Sequence, residues 1–375
     1  MAESSKLVVD GESRVSLADP PEEEGPVSVR GGRRDLITAA IGVLALFALA
    51  FGRGWTSDPS GAARGRTALR LAYFPNVTHA PALVGVARGI FQRDLAGYAV
   101  TTRVVNAGPE AMEALLAGEV DIAYVGPSPA TNTFLKSNGE ALRIVAGACS
   151  GGASLVARAD VPIASVRDLD GHSVAVPQLG GTQDISCRHF LAKEGLRPID
   201  KGGSVTIVPV KNPDILALFL RKQIDAAWVP EPWAARLRDE AGAKTVIDER
   251  RLWPGGRFPT TVVVVSRRFA DAHPDAVRAF VRSHVSTIGW IRGHAAEAED
   301  TVNAELKRLT GKALKPNVMA EAWADVDFTS DPMPAGIVAL ANAAYDAGYL
   351  KAKPGLLAGL VDDRDLAFLP REGAR

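Results

Sequence analysis

The polar residues that could do chemistry in this chain gather where apolar runs end in glycine or proline turns. Asn76 and His79 follow Leu69–Phe74, Ser128 follows Gly126-Pro127, and Ser150 ends another apolar run. Gln178, Thr182 and Gln183 surround Gly180-Gly181, while Trp228, Glu231 and Trp233 surround Val229-Pro230. Most are neutral hydrogen-bonding groups, suited to holding a polar or anionic solute rather than transforming it. Each turn also leads into a helix pattern, and a helix start presents free N–H groups with partial positive charge. Thr182 is expected to cap its helix with the hydroxyl. Trp228 and Trp233 are expected to supply apolar walls, and Glu231 is either a solute contact or an ordinary helix-start charge.

Catalytic patterns are weaker. Cys187 and His189 lie two residues apart on a helix, so they point to different sides. Asp184, three residues before Cys187, would not activate a thiol. The histidines at 79, 172, 189, 273, 284 and 294 lack metal-ligand spacing, and the sequence holds no HExxH, CxxC, GxSxG or Gly-Lys-Ser/Thr phosphate loop. No enzyme, metal or cofactor is expected. Cys149 and Cys187 are the only cysteines. They read as buried free thiols, with one disulfide as the alternative.

The elements that must position these residues alternate strand and helix through short connections, the mark of an α/β domain with a mainly parallel sheet. Apolar runs at Leu69–Phe74, Ala99–Val105, Ile122–Val125 and Arg143–Ala148 are expected strands. His79–Phe91, Glu110–Ala117 and Ser128–Leu135 are expected helices between them. A second cycle runs through Val174–Val176, a helix from Thr182, Ser204–Val208, a helix from Pro213 and Asp225–Trp228. Asp121-Ile122-Ala123-Tyr124 before Gly126-Pro127 parallels Asp225-Ala226-Ala227-Trp228 before Pro230-Glu231-Pro232. Two similar lobes in tandem follow, with helix starts at Ser128, Thr182 and Pro232 facing one cleft at the carboxyl ends of the strands. Val262–Val265 is an expected strand crossing back to the first lobe, and helical patterns dominate from His273 to Leu350.

The 375 residues, 47% of them hydrophobic, suffice for a sizeable core, and a formal net charge of +0 gives no reason to expect a nucleic-acid partner. Residues 1–32 read as a disordered acidic tail. Residues 33–52 hold Arg33-Arg34 and an apolar run from Leu36 to Gly52, either an export signal of twin-arginine type or an uncleaved membrane anchor. Residues 53–67 form a linker. Lobe 1 is assigned 68–158 with 259–365, and lobe 2 159–258. Hinges are expected near Leu155–Asp160 and Arg257–Thr261.

Tyr73-Phe74-Pro75-Asn76-Val77-Thr78-His79-Ala80-Pro81, Asn106-Ala107-Gly108-Pro109, Gly126-Pro127-Ser128-Pro129, Gly180-Gly181-Thr182-Gln183-Asp184 and Trp228-Val229-Pro230-Glu231-Pro232-Trp233 closely resemble motifs of a known family. It is the nitrate/sulfonate/taurine/thiamine-precursor family of ABC-transporter substrate-binding proteins. The resemblance covers residues 68 to 350 and is strongest to the aliphatic-sulfonate branch. It implies a two-lobed periplasmic-binding-protein type II fold, the second lobe inserted in the first, with C-terminal helices. It implies an exported, periplasmic or cell-surface, monomeric receptor that closes on one small ligand and delivers it to an ABC permease and ATPase. Its site would comprise Asn76, His79, Ser128, Ser150, Gln178, Thr182, Gln183, Glu231 and Trp233. The rival implications are a same-fold enzyme or binder for a thiamine-precursor pyrimidine, and a receptor for nitrate or taurine.

Overall fold

A computed structural model of the chain describes residues 66–369 apart from 352, 356 and 368, all within the unit Ala63–Arg375. The acidic tail, the hydrophobic run, residues 53–65 of the linker and residues 370–375 lie outside the described residues.

The first lobe begins with Thr67–Tyr73 (β1), helices Ala80–Ala87 (α1) and Ile90–Asp94 (α2), then Tyr98–Val104 (β2). Gly108–Leu116 (α3), Ile122–Val125 (β3), Pro127–Lys136 (α4) and Leu142–Gly151 (β4) follow. β1 lies between β2 and β3, parallel to both. The helical stretch expected from His79 to Phe91, finishing at Gly89, divides there, where a φ of 63° turns the chain between α1 and α2.

The chain enters the second lobe at Ala153–Ala157 (β5), then runs Ser173–Val176 (β6), Thr182–Lys193 (α5), Thr206–Pro209 (β7), Asn212–Leu220 (α6), Ala226–Pro230 (β8), Trp233–Ala241 (α7) and Lys244–Asp248 (β9). Here β6 lies between β7 and β8, again parallel to both. The paired motifs in the sequence therefore correspond to two copies of one strand–helix–strand–helix–strand unit.

Pro259–Ser266 (β10) returns to the first sheet, antiparallel between β3 and β4. Arg267–Ala272 (α8), Pro274–Gly293 (α9), Ala295–Thr310 (α10), Pro316–Ala324 (α11), Val326–Phe328 (β11) and Pro334–Asp346 (α12) complete the described elements. The six-stranded sheet has the order β11-β4-β10-β3-β1-β2, and the five-stranded sheet β7-β6-β8-β5-β9. The fold is α/β, with two lobes, the second inserted in the first, and a helical C-terminal region.

Three expectations change. The sheets are mixed rather than mainly parallel, because β5 runs antiparallel to β8 and β9, and β10 antiparallel to β3 and β4. Residues 153–157, assigned to lobe 1 by sequence, pair within the second sheet as β5. The outward crossing is accordingly at Gly151-Gly152, with φ +74° and +69°, and not near Leu155–Asp160. A Cβ on Gly152 would stand 2.5 Å from Val326 Cγ1, so this crossing needs glycine for both space and conformation.

Burial explains the apolar runs. Val262–Val265 of β10 are 0% exposed, being covered on both sheet faces. One face packs under α1, α9, α10 and α11. The other packs under α3 and α4. In the second lobe, Trp228 and Phe190 centre one apolar cluster, and α6 and α7 cover the opposite face. Ala343 and Ala344 of α12 pack against Ile185 of α5 and Leu135 of α4, so this C-terminal helix touches both lobes beside the cleft.

Cys149 and Cys187 are both free and buried, in separate clusters of the first and second lobes. Burial pushes both thiols up in pKa, so neither is a ready nucleophile.

Candidate functional site

Strand ends of both sheets converge on one cavity. From the first lobe come Phe74, Asn76 and Thr78 after β1, Asn106, Ala107 and Gly108 after β2, and Gly126 and Pro129 after β3. From the second come Pro177, Gln178, Gly181, Thr182 and Gln183 after β6, Asn212 after β7 and Pro230 at the end of β8. Thr260 of β10 completes the lining. This is the position that parallel units assign to a ligand, outside the carboxyl ends of the strands. No charged side chain lines the cavity among the described residues.

The lobes meet closely here. A Cβ on Gly126 would lie 2.2 Å from Thr182 Oγ1, so glycine lets the turn after β3 approach the start of α5. Trp233 Nε1–H donates to Asn76 Oδ1 at 3.0 Å, a second bridge between lobes. The cavity left between them has a volume of about 30 Å³, room for roughly two waters.

The glycine turn departs from expectation in one respect. The N-cap of α5 is Gly181, and Thr182 is the first helical residue, making no side-chain capping bond. Asp184 fastens the turn instead: its Oδ2 accepts the Gly180 N–H at 2.7 Å and the Tyr349 hydroxyl at 2.5 Å, and its Oδ1 accepts Arg188 Nε–H at 2.8 Å. Thr182 Oγ1 is thereby left buried without a hydrogen-bond partner among the described residues. A buried hydroxyl in that condition is costly unless a ligand or water satisfies it. Ser128 Oγ and Asn212 Oδ1 are in the same condition. Proline at 127 and 129 removes N–H groups from the start of α4, so this helix offers an anion fewer donors than α5 does.

Of the residues expected from sequence, Asn76, Gln178, Thr182 and Gln183 line the cavity. Ser128 is buried at the start of α4 without lining it. The other expected residues do not line this cavity. His79 lies behind Phe74, stacked on it at 4.2 Å between ring centroids, with Nδ1 accepting the Phe74 N–H at 3.4 Å. Burial pushes its pKa down to about 3, so the ring is neutral. Ser150 is buried within β4, in register with Asp327 of β11, and off the cavity.

Glu231 is 0% exposed and does not line the cavity. Its Oε2 accepts the Ala235 N–H at 3.0 Å and its Oε1 accepts from Arg238 at 3.1 Å. Burial pushes its pKa up to about 8, against the opposing pull of Arg238. Trp228 is a core residue, donating Nε1–H to Glu249 at 2.7 Å and stacked with Phe190. Trp233 lies at the edge of the site, lining an adjoining chamber.

Thr78, Asn106, Asn212 and Thr260 were not anticipated as site residues. Asn106 sits between β2 and α3, and Asn212 opens α6 shortly after β7, both at proline-containing helix starts, so the strand-end rule applied to every strand would have found them. Thr260 carries no local signal, being one of two threonines in an apolar strand whose facing only the sheet decides. No group of metal-ligating side chains is found among the described residues.

The comparisons bear on the fold and the family. Over 205 residues the chain is 30% identical to the Taurine-binding periplasmic protein of Escherichia coli (strain K12), covering 55% of this chain and 61% of that protein. The match therefore spans less than two thirds of that relative. In structure the chain resembles the alkanesulfonate-binding protein SsuA from Xanthomonas axonopodis pv. citri bound to MOPS, with TM-score 0.66 and 22% identity over 79% of this chain and 98% of that one. It also resembles the periplasmic nitrate-binding protein NrtA from Synechocystis PCC 6803, with TM-score 0.70 and 15% identity over 80% of this chain and 88% of that one. At those identities the structural likeness speaks for the fold. Family membership rests on the sequence itself: the pattern of the NMT1-like family matches residues 62–305, and the chain belongs to that family.

Proposed function

We propose that this protein is an extracytoplasmic solute-binding protein of an ABC importer, which captures a small organic anion such as an alkanesulfonate and hands it unchanged to a membrane permease. The observation that carries the reading is the uncharged cavity shared by both lobes, with the Thr182 hydroxyl offering a buried donor without a partner. Neutral donors and helix-start N–H groups hold an anion well once closure excludes water. The resemblance to taurine-, sulfonate- and nitrate-binding proteins points the same way. Among the described residues no lysine lines the cavity, which favours this reading over a pyridoxal-type enzyme on the same scaffold. The same reading places the domain outside the cytoplasm, monomeric, beside permease and ATPase subunits, with residues 36–52 as its export signal or anchor.

Calorimetric titration with methanesulfonate, taurine and nitrate tests it, with tryptophan fluorescence as a second readout because the Trp233–Asn76 bond spans the lobes. A sulfonate at a hundredfold excess over Kd should stabilise the fold by about 2.7 kcal/mol. Heat and thermal shift with nitrate alone would overturn the sulfonate assignment, and silence with every anion would overturn the receptor.

A further inference from the structure

The cavity does not end at its own walls. Asn76, Asn106 and Asn212 also line a neighbouring chamber of about 450 Å³. That is within the usual size of a small-molecule site, roughly 300–1,000 Å³, whereas the inner cavity, at about 30 Å³, admits a head group at most. The far walls of the chamber are the Trp233 ring and Leu306, Leu309 and Leu314.

Its two cations are already engaged. Arg236 Nε–H donates to Glu240 at 2.6 Å and lies 4.6 Å over the Trp233 ring, and Lys312 Nζ–H donates to the same Glu240 at 3.1 Å. Glu240 offsets one of these two positive charges and the other stays at the exposed Lys312 side of the chamber, where solvent and salt screen it, so the chamber's leucine and tryptophan walls favour an apolar tail over the anionic group. Asn212, only 7% exposed, stands between the two spaces with its Oδ1 unpartnered. A solute crossing from one to the other would pass directly over it.

We propose that this chamber is a tail subsite, and that the preferred solute is an anion with an extended apolar tail rather than a bare inorganic anion or a short zwitterion. This rests on the receptor reading above. The head group lies among Thr182, Gln178 and the start of α5, and the tail crosses Asn212 to lie against Trp233 and the leucines.

The test is a calorimetric series on the full chain with linear alkanesulfonates from methane- to octanesulfonate, run beside taurine and nitrate. Burial of each added methylene should tighten Kd by about fourfold over the first several carbons. Ala313→Trp, a change at an exposed chamber residue, should flatten that dependence by filling the space. Methanesulfonate binding with no gain, or a loss, on lengthening would overturn the tail subsite while leaving the receptor intact. Absence of binding by every member, with nitrate also silent, would overturn both. A steep dependence that Ala313→Trp leaves unchanged would place the tail elsewhere and overturn the subsite.

Discussion

The turn after β3 and the turn after β8 hold equivalent places in the two repeats, yet they do different work. Both follow a wholly buried strand and both lead into a helix through proline. In the first lobe the turn puts Gly126 against Thr182 of the other lobe. In the second lobe Pro230 reaches the cavity, but the next side chain, Glu231, folds back to Arg238 and the Ala235 N–H, and its own N–H donates to Gly152 O at 2.8 Å. One turn is part of the cleft, and the other fastens the second lobe beside the crossing between sheets. A repeated backbone thus carries no guarantee of a repeated role, because the neighbours that a side chain finds are set lobe by lobe.

The comparison breaks most visibly at Glu231. Glu231→Ala leaves Arg238 with Asp325 and Glu321 but removes its most buried partner. We expect stability to fall by about 2 kcal/mol in urea unfolding, because the Ala235 N–H and one Arg238 N–H lose a buried acceptor, with the anion Kd of the folded protein changed less than threefold. A lost affinity at unchanged stability would instead make Glu231 a solute contact.

The two buried titratable groups behind the turns should act with opposite sign. His79 titrates at about 3 when folded, below the 6.5 of a free histidine, so the unfolded chain takes up the proton first. Its contribution to stability is full above pH 6.5 and falls by about 1.4 kcal/mol per unit as pH drops toward 3. Glu231, held at about 8 against 4.5, is protonated first in the folded state, so its contribution falls as pH rises between those values. In His79→Gln, urea unfolding measured from pH 4.5 to 6.5 should show a slope shallower by that amount. An unchanged slope would mean that His79 is not held neutral.

Smaller effects sharpen the role of the first-lobe turn. Gly126→Val should keep the fold but hold the lobes apart at Thr182, weakening sulfonate binding by at least about tenfold, or about 1.4 kcal/mol. Full affinity in this variant would show that the solute-bound form does not need the Gly126–Thr182 approach. Thr182→Val should weaken binding by about fivefold, the loss of one net hydrogen bond. Its ligand-free melting temperature should hold or rise slightly, because the hydroxyl it deletes has no partner.

Much of the architecture was legible in the sequence for local reasons. Runs such as Ile122–Val125 and Val262–Val265 suit only buried strands, and Gly180-Gly181 before Thr182 marks a turn into a helix. The order of the quoted motifs was enough to indicate the family. The short strands Lys244–Asp248 and Val326–Phe328, and the strand Ala153–Ala157 that fell within the expected first lobe, were not legible. Each owes its existence to a partner distant in sequence, and β5 needs the glycine crossing that separates it from β4.

The site divides along the same line. Sequence alone determined that polar residues stand at the ends of apolar strands, and that a solute held there would meet amides, hydroxyls and helix starts rather than cations. Only the tertiary structure decided which of them face inward: Asn76, Gln178, Thr182, Gln183, Asn212 and Thr260 do, while His79, Ser150, Trp228 and Glu231 do not. The physical reason is that successive side chains on a strand or turn point in opposing directions. Which direction is the cavity depends on where the other lobe packs, and no window of neighbouring residues contains that.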